Sequence, residues 1–159
     1  MKLAGHPTNN QRSVWEGEAV SPDAPREEAG YYWGYSVRQA PSLSAVFTEC
    51  QYEGGYDVSL GTSERGGPAD VLLALGSEDY VEPQWRHLLV VFGGVAGLEA
   101  ALSADEELQA AGVSEAQELF DRWINLVPQQ GSRTIRTEEA LWIGLTCTRP
   151  LIEARNSAT

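Results

Sequence analysis

Lysine is almost absent from this chain: Lys2 is the only one in 159 residues, and the rest of the 11 basic residues are arginines. Against 23 acidic residues the net charge is −12. That balance excludes a protein that coats nucleic acid through bulk positive charge. Arginine instead suits planar, bidentate contacts to phosphate or carboxylate. Cysteine and histidine are equally scarce. Cys50 and Cys147 form no CxxC pattern, and His6 and His87 do not stand near them at ligand spacing, so no metal site is expected. Both cysteines read as small buried hydrophobes. No run approaches the ~20 apolar residues that span a bilayer, so no membrane partner is expected. The opening MKLAGHPTNNQRSVWEGE lacks the apolar stretch of a secretory signal. An intracellular protein is expected.

Several catalytic signatures are missing too. GTSERGG (61–67) lacks the Gly-Lys-Ser/Thr of a phosphate-binding P-loop, and no GxGxxG opens a helix. There is no GxSxG elbow, and Ser63 and Ser132 have no evident histidine partner. Glu138 and Glu139 are adjacent on a helix start, so they point apart and make no ready acid/base pair.

What is present is an alternation of strands, glycine-bearing loops and helices. The length suffices for one ordinary domain. Residues 1–30 are polar and read as irregular. YYWGYSVR (31–38) is aromatic and β-branched and reads as a strand, and Pro41 opens a short helix carrying Leu43, Val46 and Phe47. Residues 56–60 alternate as a strand and end in the loop 61–67, and 68–75 read as a helical turn. The apolar run 87–92 reads as a strand buried on both faces. It ends at Gly93 and Gly94, and a helix is expected over about 98–110. A third strand over 123–127 ends in the loop 128–132. A last helix is expected over 137–146, with Thr137 as N-cap and Glu138 and Glu139 in its first turn.

Strand, loop and helix repeated three times predict an α/β fold with a mainly parallel sheet. Ligands of such sheets bind beyond the carboxyl ends of the strands, where the three glycine-marked loops lie. Glycine lets backbone approach a ligand closely.

Specific strings then carry a resemblance: YYWGYSVR (31–38), SLSAVFTEC (42–50), GGYDVSLGTSERG (54–66), LLVVFGGVAGLE (88–99) and QQGSRTIRTEEAL (129–141). Over residues 20–150 the chain resembles the SPOUT superfamily of RNA methyltransferases, in the eukaryotic and archaeal branch that includes the centromere-associated member of animals. The resemblance implies a C-terminal trefoil knot, a homodimer and S-adenosyl-L-methionine (SAM) as cofactor. It implies methylation of a base in ribosomal or other structured RNA, in nucleus, nucleolus or cytoplasm, with spindle and kinetochore as further places.

The family's cofactor loops map onto Thr62, Arg65 and Gly66, onto Phe92, Gly93 and Gly94, and onto Asn125, Gly131, Ser132, Thr134 and Thr137. Arg133 and Arg136 are placed to hold RNA phosphate or to tie their loop to a carboxylate. Glu64, Glu138 and Glu139 are the carboxylates available as a base, and none is singled out as catalytic. Against the family pattern, the first strand and helix of the fold are expected to be missing. Residues 1–30 are expected as an irregular remnant of an inserted OB-like domain, and 31–159 as the C-terminal part of the methyltransferase domain. The alternatives are a non-catalytic SPOUT-like dimeric scaffold in a kinetochore or ribonucleoprotein complex, and an unrelated nucleotide-binding α/β protein.

Overall fold

A computed structural model describes residues 2–4, 16–21, 24–30 and 36–158. The chain divides into two compact units, Met1–Gln39 and Ala40–Thr159. The first is not irregular throughout. Strands β1 (Lys2–Ala4) and β2 (Glu16–Glu18) pair antiparallel, with Leu3 opposite Gly17, and helix α1 follows at Ala24–Ala29. Three-residue strands are too short for alternation to reveal them. Of the strand expected over 31–38, residues 31–35 lie outside the described residues, and 36–38 have no regular structure.

The second unit is a three-layer α/β sandwich. Strands β3 (Val58–Pro68), β4 (Leu88–Val91) and β5 (Arg122–Asn125) form a sheet of order β4-β3-β5, parallel at both pairings. The helices are α2 (Leu43–Thr48), α3 (Gly97–Ser103), α4 (Glu106–Ala110) and α5 (Thr137–Ser157), with 3-10 turns at Ala69–Leu73 and Ala116–Leu119. Side chains alternate across a strand, and the two cores follow from that period. Val58, Leu60, Leu88, Val90, Ile124 and Leu126 share one face with Leu72, Val81, Trp85 and, from α5, Leu151. Val91 and Trp123 point the other way, to Leu43, Phe47, Leu98, Leu102, Ala116 and Phe120.

Two polar locks set the register. Ser59 donates through its N–H (2.8 Å) and hydroxyl (2.7 Å) to Asp121, whose own N–H returns a bond to Ser59 Oγ (3.0 Å). Buried Asp105 accepts the Ser44 N–H (2.7 Å) and hydroxyl (3.2 Å), and also the Leu108 N–H (3.2 Å). It therefore caps α4 and fastens α2 at once.

The structure corrects several boundaries. The helix expected over 98–110 is broken at Asp105, because its side chain competes for the backbone of the next turn. The expected loop 61–67 is part of β3, which continues to Pro68. Strand β5 begins and ends earlier than 123–127. Strand β4 is half-buried along its length, because it is an edge strand of this sheet. Both cysteines are half-buried rather than buried.

Helix α5 runs well past residue 146, through Pro150. The N-cap of α5 is Arg136, not Thr137, which is the first helical residue. Glu139 reaches back to accept the Arg136 N–H at 3.2 Å, which satisfies a helix-start donor without a threonine cap. Among the described residues no helix is long and apolar enough to cross a membrane.

Candidate functional site

The carboxyl ends of β3, β4 and β5 surround a cleft of about 260 Å³. Three segments line it, one from each strand end, and each has its own local cause.

The first is an excursion inside β3. Thr62 and Gly67 both pair with Ile124, so residues 63–66 are a four-residue insertion in the ladder. Gly66 is dictated by packing: a Cβ there would stand 2.7 Å from Ile124 N and Cα. The insertion thus rests directly on β5 backbone, and Thr62, Ser63, Glu64 and Arg65 line the cleft above it. Thr62 Oγ1 donates to the Val91 carbonyl (2.9 Å) and ties the mouth of the cleft to β4.

The second segment runs from Phe92 through Gly93, Gly94, Val95 and Ala96 to Gly97, with Glu99 from the first turn of α3. Gly94 has open space where a Cβ would stand. Gly93 does not, since its Cβ would press on Gly97 and Leu98 N at 3.0 Å. Phe92 packs against Gly144 of α5, where a Cβ would lie 2.6 Å from the ring. That small residue lets α5 close the back of the site.

The third segment contributes Asn125, Leu126, Val127, Gln130, Arg133, Thr134 and Ile135, with Ala140 from α5. Asn125 is engaged at both ends of its amide. Its Nδ2 donates to the Glu64 carbonyl (2.9 Å) and its Oδ1 accepts the Val127 N–H (3.0 Å).

Of the residues singled out from sequence, Thr62, Arg65, Phe92, Gly93, Gly94, Asn125, Thr134 and Arg133 are brought together at this cleft, with Glu64 beside them. Gly66, Gly131, Ser132, Thr137 and Arg136 are outside its lining. Ser132 instead bonds within its loop, donating to the Thr134 carbonyl at 3.1 Å. Glu138 and Glu139 are also outside the lining, and Glu139 acts as a helix cap. Glu99 was not expected. It pairs with Arg65 at 3.3 Å across the cleft mouth. Its only signal in the sequence is an acidic residue just after a glycine loop, which also describes an ordinary helix start.

The lining combines two carboxylates, two guanidinium groups and an apolar wall of Leu126, Val127 and Ile135. That is the makeup of a small-molecule site: apolar surface with a few placed polar groups. Neither histidine nor cysteine lines the cleft, and the described residues hold no cluster of three or more metal-ligating side chains. Carboxylates held below their ordinary range are found away from the cleft. Asp57, beside the amino ends of β3 and β4, is held below the usual carboxylate range by the N–H groups of His87 (2.7 Å) and Arg86 (2.9 Å).

Comparison with known proteins identifies the family. Residues 2–148 match the family model described as "Putative RNA methyltransferase". The human "28S rRNA (uridine-N(3))-methyltransferase" is 51% identical over 142 residues, 89% of this chain and 35% of that protein. The mouse protein of the same name is 50% identical, covering 86% of this chain and 33% of its own length. The fruit-fly one, from Drosophila melanogaster, is 50% identical, covering 81% and 25%. The chain therefore spans about a quarter to a third of these relatives. With most of its length inside the match, the chain belongs to this RNA methyltransferase family.

Proposed function

We propose that this chain carries the methyl-donor site of an RNA methyltransferase, with SAM in the strand-end cleft and a uridine of ribosomal RNA as acceptor. One observation carries the reading: three segments far apart in sequence converge on one cleft, in a chain about half identical to proteins named for methylating uridine N3 in 28S rRNA. The cleft fits the cofactor's chemistry. Leu126, Val127 and Ile135 suit an adenine face, open space at Gly94 leaves room for the ligand, and Thr62, Phe92, Gly93, Asn125 and Thr134 surround it. SAM supplies an activated methyl group on a sulfonium.

The protein's own work is then positioning, which can be worth about 7–11 kcal/mol of the barrier. A uridine N3 also carries a proton that must leave as the carbon–nitrogen bond forms. Glu64 is the cleft carboxylate with no salt-bridge partner among the described residues and is placed to accept it, directly or through water. Arg65 faces the negative charge that develops on the base. Arg133, on the lining, and Arg136, three residues on, are the guanidinium groups placed to hold RNA phosphate.

The same reading includes the C-terminal knot and the homodimer implied by the resemblance. In support, α5 is a 21-residue helix whose outer side exposes Leu141, Trp142 and Leu145.

Titration calorimetry with SAM tests the cofactor, and transfer of labelled methyl to ribosomal RNA tests the activity. Binding is expected in the parent and loss of binding in Gly94→Trp, whose Cβ meets no packed atom and whose indole competes for the cleft. Absence of heat and of any thermal shift with SAM would sink the reading.

A further inference from the structure

We propose that Asn125 and Glu99 are positioning residues that hold Arg65 over the cleft from two sides, so that its guanidinium meets an anionic oxygen of the RNA substrate. The substrate's part in this rests on the methyltransferase reading above; the holding of Arg65 does not.

The starting point is an unmet demand of the backbone. Residues 63–66 are extra in the β3–β5 ladder, so they have no ladder partners opposite them. Left to itself, such an insertion would have many conformations. Three contacts restrict it. Gly66 lies flat on Ile124 and fixes the base of the insertion. Ser63 Oγ accepts the Arg65 N–H at 3.2 Å and tightens its turn. Asn125 supplies the long-range tie: its Nδ2 takes the Glu64 carbonyl, while its Oδ1 is itself fixed by the Val127 N–H. The donor is therefore oriented by its own backbone before it reaches across to the insertion.

Arg65 stands next to that tied carbonyl. Its side chain is 72% exposed and meets Glu99, 41% exposed, through Nη1 alone. So open an ion pair adds little to stability, which makes its place on the cleft mouth the informative feature. A guanidinium has five N–H donors in a rigid fork. Glu99 engages one end and leaves others for an incoming anion. Tether and counter-ion together fix where Arg65 stands and which way its fork turns.

The test combines a structural readout with a kinetic one, in the full chain. Asn125→Asp keeps the acceptor for Val127 N–H but removes the donor and sets an oxygen against the Glu64 carbonyl. Amide hydrogen exchange in 63–67 is expected to rise about three- to tenfold, the effect of one lost hydrogen bond, while β4 is unchanged. Single-turnover methyl transfer at saturating SAM is expected to fall by at least about tenfold. In an Arg65→Ala background the same substitution is expected to cost nothing more. Glu99→Gln, which keeps an acceptor without the charge, is expected to slow transfer by roughly threefold without raising exchange.

Unchanged exchange in 63–67, or losses that multiply in the double variant, would overturn the proposal. If Asn125→Asp raises exchange throughout the chain, the milder Asn125→Ser decides. A rise confined to 63–67 supports positioning, and a general rise refutes it. A parent that transfers no methyl and binds no SAM defeats the functional reading instead, and the exchange result still decides whether Asn125 holds the insertion.

Discussion

Gly66, beneath the β3 segment of the cleft, and Gly94, on the cleft lining, make opposite demands. At Gly66 a methyl group would enter the backbone of Ile124, which cannot rotate away. Gly66→Ala is expected to cost about 1–3 kcal/mol in urea unfolding, the usual cost of overpacking. At Gly94 nothing lies within 4 Å of the added carbon, and the backbone there is not left-handed. Gly94→Ala is expected to stay within about 0.5 kcal/mol of the parent. Equal losses at both positions would contradict this assignment. In the sequence the two glycines look alike, both marking loops beyond strands. What separates them is the atom each would meet, and for Gly66 that atom belongs to a strand much later in the chain. Asn125 shows the same limit. The residue was legible as part of the site, but its two hydrogen bonds within the protein were not, because pattern does not say which carbonyl a side chain will face.

Among the elements, the break between α3 and α4 is where sequence periodicity misleads. Residues 98–110 read as one helix in the sequence, and pattern alone cannot see a side chain turning back to cap. Asp105 does so, and its carboxyl is held below the ordinary value of 3.8, first by the Ser44 N–H and also by Leu108 N–H and the Ser44 hydroxyl, against the opposing effect of burial. The sign follows from linkage: a carboxyl with a lowered folded value stabilises fully above 3.8 and loses that contribution as pH falls through the folded value.

Asp105→Asn is therefore expected to lower the urea midpoint near neutral pH, with the difference from parent shrinking below pH 3.8. A difference that stays constant into acid would show that charge at Asp105 is not the source. Helix α5 misleads in the other direction. Pro150 reads as a stop, yet only the Thr146 carbonyl loses its donor, and Thr146 is exposed to water. Burial of Gly144, Thr148 and Leu151 on the inner side carries the helix across.

At the scale of the molecule, the parallel α/β sheet and a pocket at its carboxyl ends were both legible, because period and loop position are properties of order along the chain. The surface of α5 was not, because periodicity does not tell which apolar residues of a helix the rest of the chain covers. Gly144, Thr148 and Leu151 face the sheet, while Leu141, Trp142 and Leu145 remain outside with Ile152 further along, and Trp142 is 75% exposed. A cluster of exposed large apolar side chains marks an interaction surface, and a second copy of this chain is the proposed cover.

Burying each large apolar side chain is worth about 1.5–3 kcal/mol, enough for one tryptophan to decide the assembly. Trp142→Glu is expected to convert dimer to monomer in sedimentation, with SAM binding to each copy measured separately. Salt gives an independent sign. Each chain carries a net charge of −12, so two copies repel, and an apolar interface works against that repulsion. Raising the salt screens the repulsion and is expected to tighten the dimer. An interface held by ion pairs would loosen instead. Association that weakens with salt, or that ignores Trp142→Glu, would place the interface on another face.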